Sequence, residues 1–162
     1  MAAYHNIGLQ IRNYLVDENL VQEPVAVTAT PTLPECYVDP PRGLGEPTAT
    51  RPLLAAVYLN GMPPLPAYAG CWRRYTVNVT VKSLAETDQQ LTDLLELHEN
   101  IRLRFSDYEE RFNLTADGMP ILEVRPLTPL AKATYSSEPA RKYHEYYAEY
   151  NFLVDTKTVN DL

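Results

Sequence analysis

The residues of this chain that could carry acid–base or metal chemistry are scattered along the sequence. The three histidines are His5 near the start, His98 in a segment with helical periodicity, and His144 in a tyrosine-rich segment. His98 lies on an apolar stripe, where a general base or a ligand is one interpretation and a hydrogen-bonded core histidine the commoner one. His144 and Glu145 are adjacent, so in a strand they point to opposite faces. The histidines therefore indicate no catalytic site.

Carboxylates and cysteines add no reaction centre either. The acidic pair Glu109-Glu110 lies on a polar stretch, whereas acid–base catalysis needs two carboxylates that converge on one buried spot. Cys71 has no identifiable base partner, and a reduced pair suits Cys36 and Cys71, with a disulfide between them as the alternative. Phosphate loops, zinc-ligand spacings and nucleophile elbows do not occur. We therefore expect no enzyme activity, no cofactor and no metal.

Composition and charge limit the remaining function classes. The chain has 162 residues, 45% of them apolar, and we predict one domain at 1–154 with a flexible tail at 155–162. The net charge is −7, and Arg73-Arg74 is the only dense basic spot. A protein that binds nucleic acid by neutralising its phosphates has the opposite charge balance, with Lys and Arg clustered on one face, so tight general nucleic-acid binding is not expected. A secretory signal and a membrane-spanning apolar run are also not expected.

Two segments have the apolar periodicity of amphipathic helices. The first begins near Ile7 and ends before Pro24, which cannot continue a helix. The second runs from about Thr87 to about Phe105, and Ser83 or Thr87 can cap it. Its apolar stripe consists of Leu84, Leu91, Leu94, Leu95, His98, Ile101 and Phe105. Each helix thus has one face to bury against another layer.

Five segments have strand character. Leu53–Leu59 is an almost continuous apolar run, Tyr75–Val81 alternates cleanly, and Ile121–Arg125 and Val25–Thr28 are short candidates. Tyr143–Val154 fits both helical spacing and alternation, and its aromatic and β-branched residues favour a strand. The order of two strands followed by a helix predicts an α+β fold, with helices packed on an antiparallel sheet.

Proline-rich connections separate these elements. Residues 31–52 hold six prolines and predict a long extended arm, either a contact element or an excursion packed on its own subunit. Residues 62–70 are apolar and too many for a tight hairpin, so they predict a projecting loop that contacts another chain. The 12 tyrosines suit surfaces that become buried on assembly, and equally the edge of an ordinary core.

The order of elements in the middle of the chain has a family resemblance. Residues 56–61, Ala-Val-Tyr-Leu-Asn-Gly, are followed by the projecting loop, by Trp72, by the strand Tyr75–Val81 and by the helix from Thr87. This order resembles the tail terminator proteins of long-tailed bacteriophages, and the opening helix and closing strand take the places that this family assigns them. The resemblance implies an antiparallel sheet flanked by helices in a ring-forming subunit.

The function that the resemblance implies is structural. Such a protein forms a homo-oligomeric, hexameric ring at the top of the tail, binds the last ring of tail tube protein, and offers a docking surface to the head-completion or connector protein. DNA passes through the lumen without specific binding, and the ring resides in the virion tail or neck after assembly in the host cytoplasm. The longer arm and loops of this chain leave open another neck, connector, minor tail or capsid protein on the same fold. The alternatives from other functional classes are a small enzyme and a monomeric adaptor that binds peptides.

The candidate contact residues are Tyr68, Trp72, Arg73 and Arg74. They combine aromatic rings and guanidinium groups at the end of the projecting loop and the start of the next strand, and such side chains are common anchors of interfaces. We predict that they lie at or near a subunit or partner contact. The alternative places Trp72 in the core and the two arginines in solvent.

Overall fold

A computed structural model describes residues 2–61, 72–106, 121–133 and 143–155. Within these ranges the backbone alone is described for residues 2–6, 61, 72, 73, 122 and 155. The described residues form two helices and six strands. In chain order they are α1 (Ala2–Asp17), β1 (Glu35–Val38), β2 (Leu53–Gly61), β3 (Trp72–Leu84), α2 (Asp88–Ser106), β4 (Ile121–Pro126), β5 (Ala131–Lys132) and β6 (Tyr143–Asp155).

The six strands form one sheet in the order β1-β2-β3-β6-β4, with β5 also paired to β6. All pairings are antiparallel except that of β1 with β2, which is parallel. Because β4 and β5 pair with successive parts of β6, they form one interrupted edge of the sheet. The predicted α+β fold with an N-terminal and a central helix is confirmed, and the sheet is mixed rather than wholly antiparallel because of β1.

The helix boundaries follow from local chemistry. The Thr87 hydroxyl accepts a hydrogen bond from the Gln90 N–H at 3.3 Å, so Thr87 is the N-cap of α2, one of the two predicted candidates. The first helix ends at Asp17, well before Pro24. Asn19 adopts a left-handed φ of 59°, a conformation that ends helices and that asparagine tolerates better than most residues.

The segment Val25–Thr28 is not a strand, contrary to the prediction. Its backbone turns back, and the Ala29 N–H donates to the Ala26 carbonyl at 2.9 Å. The carbonyls of Ala26, Val27 and Ala29 accept hydrogen bonds from the Arg51 guanidinium. In a strand these carbonyl oxygens would accept hydrogen bonds from a neighbouring strand, but here they accept them from the Arg51 side chain.

The proline-rich arm at 31–52 is only partly an extended loop. It contains β1, whose residues Glu35–Val38 pair in parallel register with residues 54–57 of β2. Beyond β1 most residues from 41 to 50 are exposed, and at the end of the arm the Leu84 N–H donates to the Pro52 carbonyl at 3.0 Å. The described contacts hold β1 and the end of the arm on the same chain, and a role of the exposed residues as a contact element stays a prediction.

Both helices pack against one face of the sheet and share its core. The alternation predicted for Tyr75, Val77, Val79 and Val81 is confirmed, since all four side chains are fully buried. Phe105 of α2 meets two β6 rings edge to face, with its ring centroid 4.9 Å from that of Tyr150 and 5.3 Å from that of Phe152. The ambiguous segment Tyr143–Val154 is a strand whose alternate side chains Ala148, Tyr150, Phe152 and Val154 lie in the core, with Tyr146 packed against them.

The helix α1 lies unusually close to the sheet at Gly8. A β-carbon placed there would stand 2.7 Å from Val38 Cγ1, too near for any real contact. The Tyr14 hydroxyl of the same helix donates to the Arg104 carbonyl of α2 at 3.2 Å. Tyr14, Tyr75 and Tyr150 are all buried, so for these three the core interpretation of the tyrosines holds.

Candidate interaction surfaces

The predicted contact residues fall at one end of β3 or outside the described residues. Tyr68 lies in the undescribed stretch 62–71. The backbones of Trp72 and Arg73 begin β3 and pair with Asp155 and Val154 of β6, and the Arg74 side chain is exposed. Three of the four residues thus lie together at the end of the β3–β6 pair, and their role in a contact stays a prediction.

The described residues provide little for chemistry. Within them, no cluster of three or more histidine, cysteine, aspartate or glutamate side chains has the geometry to hold a metal. Cys36 is a buried free thiol whose pKa is raised to about 12, chiefly because burial disfavours the thiolate. Of the helices in the described part of the chain, neither is long and apolar enough to cross a membrane.

His98 is a buried, hydrogen-bonded histidine, as the commoner interpretation of its position predicted. Its Nε2 lies 3.0 Å from the Tyr146 carbonyl oxygen, and because a carbonyl only accepts, Nε2 carries the proton. Its Nδ1 is buried and has no hydrogen-bond partner within the described ranges. Burial lowers the pKa of His98 from 6.5, and the bond to Tyr146 opposes this less strongly. The imidazole is therefore kept neutral and fixes α2 to β6.

The lowered pKa of His98 predicts a pH-dependent stability. Between 6.5 and the lower folded-state pKa, the unfolded chain binds a proton at His98 and the folded chain mostly does not. The stability advantage of neutral His98 is thus lost as the pH falls from 6.5 to the lower folded-state pKa. We expect wild type to lose more stability than His98→Gln between about pH 7.5 and about pH 5, measured by urea unfolding. His144→Gln, in the same strand as Tyr146, is the matched control, and parallel curves for wild type and His98→Gln would contradict the assignment.

An apolar groove opens beside His98, between α2 and the interrupted edge of the sheet. Leu95, Glu99 and Arg102 of α2 form one wall, residues 126–130 form the other, and Ala148 and Tyr150 lie at the base. Its volume is about 340 Å³, within the range of about 300–1,000 Å³ typical of ligand pockets. We call it the α2 groove.

The second wall of the α2 groove is held in place by β6. Between β4 and β5 the chain leaves regular pairing, yet the Leu127 N–H donates to the Glu149 carbonyl at 2.8 Å. The Thr128 hydroxyl accepts from the Glu149 N–H at 3.0 Å. These bonds fix the backbone while Leu127 and Leu130 remain exposed, at 46% and 38%. Two large apolar side chains are thus presented to solvent on a rigid wall.

A second apolar surface lies at the opposite edge of the sheet, where Val27 stands 91% exposed at the tip of the turn 25–29. We call this element the Val27 turn. The chain just before it runs along the outer edge of β1, with the Cys36 N–H donating to the Gln22 carbonyl at 2.9 Å. The Val25 N–H donates to the Glu35 carboxylate at 2.7 Å. The turn is therefore attached to β1 on the side away from β2.

A buried ion pair holds the Val27 turn. Arg51 Nε lies 2.7 Å from Glu35 Oε1, and the Glu35 side chain is completely buried. The other nitrogens of Arg51 donate to the carbonyls of Ala26 at 2.9 Å, Val27 at 3.3 Å and Ala29 at 2.7 Å. The planar guanidinium thereby satisfies a carboxylate and three carbonyls at once. An exposed apolar tip thus stands on a fully hydrogen-bonded base.

Sequence reasoning missed both surfaces. The sequence predicts Leu95 on the apolar stripe of α2, but in the structure it is exposed on the flank that forms the groove. The strand predicted at Val25–Thr28 is in the structure part of the exposed Val27 turn. The sequence carries one signal for the groove. Leu127 and Leu130 each follow a proline, and a proline interrupts an edge strand because it has no backbone N–H to donate.

No protein-family model and no curated protein sequence matches this chain.

Proposed function

We propose that this chain is a structural subunit that assembles into a ring at the top of a phage tail, where it ends tail-tube polymerisation and receives the head. The observation that carries the proposal is the pair of different apolar surfaces at opposite edges of one sheet. A subunit of this kind can repeat one heterologous contact until the ring closes. The tail assignment rests on the resemblance of the element order to tail terminator proteins, and the α+β fold agrees with it.

The proposed mechanism needs no catalysis. A ring of subunits, hexameric by the resemblance, binds the end of the tail tube and leaves no surface on which another tube ring can add. Its other side meets a head-completion or connector protein. The net charge of −7 per subunit suits a lumen through which DNA slides without being held, because like charges repel. Tyr68, Trp72, Arg73 and Arg74 are proposed contact residues of this assembly.

Polymerisation of purified tail tube protein tests the terminator function directly. With the chain added, we expect shorter tubes with a cap at one end by electron microscopy. Tubes of unchanged length without caps would contradict termination and would favour a connector elsewhere in the neck.

The same assay tests the predicted contact residues. The double variant Arg73→Ala, Arg74→Ala is expected to cap fewer tubes, with a weaker salt dependence, because two charges leave the contact. Arg42→Ala is the matched control, since Arg42 is an exposed arginine in the arm. Equal capping by the double variant and wild type at all salt concentrations would remove these arginines from the contact.

A further inference from the structure

We propose that the Val27 turn of one subunit inserts into the α2 groove of a second copy of this chain. The inference rests on the proposed function in that both require self-assembly, and it names the contact by which the subunits join. The occupant of the groove is thus a short uncharged turn, and the partner is an identical subunit.

The first argument is the distribution of exposed apolar side chains. Within the described residues, six large hydrophobic side chains are exposed, and five of them lie in these two surfaces. Val25 and Val27 belong to the turn, while Leu95, Leu127 and Leu130 belong to the groove. Concentrated exposed apolar surface marks contact sites, whereas scattered single residues do not. Leu103 is the sixth and lies outside both surfaces.

The second argument is charge. The turn region 24–31 reads Pro-Val-Ala-Val-Thr-Ala-Thr-Pro and carries no ionisable side chain. The charged residues of the groove are Glu99 and Arg102, and these pair with each other, with Arg102 Nε donating to Glu99 Oε2 at 3.1 Å. Inserting the turn would therefore leave no charge buried without a partner, the defect that most weakens an interface.

The third argument is rigidity. The Val27 turn is closed by its own backbone bond and held by the guanidinium of Arg51. The groove wall at Leu127 and Thr128 is bonded to Glu149 of β6. When both surfaces are already ordered, association loses little conformational entropy. A short loop with one valine at its tip can then contribute usefully to binding.

The fourth argument is topology. The turn is attached beyond β1 and the groove lies beside β4 and β5, at the two ends of the strand order. A contact between surfaces at opposite edges is heterologous, so it leaves one free turn and one free groove on every dimer. Such a contact propagates to a closed ring or a filament and not to a closed two-fold dimer.

Complementary variants test the contact. Val27→Glu destroys the turn and keeps the groove, whereas Leu130→Glu destroys the groove and keeps the turn. Each variant alone is expected to sediment as a monomer under conditions in which wild type forms rings. Mixed in equal amounts, they are expected to form dimers and nothing larger, because only one intact pair of surfaces remains per two chains. Leu103→Glu, at the exposed leucine outside both surfaces, is the matched control and should form rings.

The outcomes separate this inference from the proposed function. Rings formed by both variants would overturn the contact and leave ring assembly standing. Loss of rings with Val27→Glu but not with Leu130→Glu would place the turn against another surface, and monomers alone in the mixture would equally overturn the pairing. Wild type that stays monomeric at every concentration, with and without tail tube protein, would overturn both proposals. Circular dichroism and thermal unfolding of each variant confirm that it is folded.

Discussion

Glu35→Ala is expected to lower the free energy of unfolding by about 3–5 kcal/mol, the usual cost of removing one partner of a buried ion pair. The Glu35 side chain is completely buried and the Arg51 side chain is 15% exposed, with 2.7 Å between Oε1 and Nε. Truncation leaves the guanidinium without a counter-ion and the Val25 N–H without its acceptor. The loss therefore comes mainly from groups left unpaired and less from the attraction itself.

Urea unfolding followed by circular dichroism measures this loss, and Glu23→Ala is the matched control. Glu23 also pairs with an arginine, at 3.4 Å from Arg12, but its side chain is 64% exposed. An exposed pair contributes little, so the control should lie within about 0.5 kcal/mol of wild type. A loss below about 1 kcal/mol for Glu35→Ala would show that the ion pair does not anchor the turn.

Phe105→Ala is expected to destabilise the fold by a similar amount, about 3–5 kcal/mol. Phe105 is 2% exposed and packs edge to face against Tyr150 and Phe152, so its removal leaves a cavity between α2 and β6. Two aromatic pairs are lost in addition to the buried area. Rigid strands on one side and a helix on the other limit how far the site can collapse.

Thermal and urea unfolding of Phe105→Ala, Phe105→Leu and Leu103→Ala measure this cost. The leucine variant keeps most of the buried area and should lose clearly less than the alanine variant. Leu103 is on the same helix but exposed, so Leu103→Ala should change stability little. Equal stabilities for Phe105→Ala and Leu103→Ala would contradict the placement of Phe105 in the core.

Local periodicity explains which parts of the fold were predictable from the sequence. Tyr75–Val81 alternates because one face of β3 is buried, and the helix from Thr87 repeats its apolar residues because one face meets the sheet. Tyr143–Val154 fitted two periods, and its aromatic and β-branched residues decided correctly for a strand. In each of these elements, the spacing of apolar residues over a few positions of the sequence shows which face is buried.

The elements that were missed depend on distant partners. The strand β1 has four residues, too few for a period, and it begins with a buried glutamate whose carboxylate is satisfied by Arg51 and by the Val25 N–H. Val25–Thr28 has the composition of a strand, yet Arg51 binds its carbonyls from more than 20 residues away. A side chain that acts across such a separation leaves no periodic signal in the sequence.

The candidate surfaces were harder to predict than the fold. Aromatic and basic residues suggested Tyr68, Trp72, Arg73 and Arg74, and that contact stays a prediction. The Val27 turn and the α2 groove are defined by the exposure of their side chains, and the sequence does not distinguish an exposed leucine or valine from a buried one. Leu95 illustrates this, since it follows the same helical repeat as the buried Leu94 and Ile101 but lies on the groove flank.

The most direct test of the central claim is the absolute mass of the purified protein by light scattering, over a range of concentration and salt. A mass near six times the 18.4 kDa subunit, or a monomer that becomes a ring when tail tube protein is added, is the predicted result. A protein that stays monomeric under every condition and does not bind tail tube protein would contradict ring assembly, and with it the tail function.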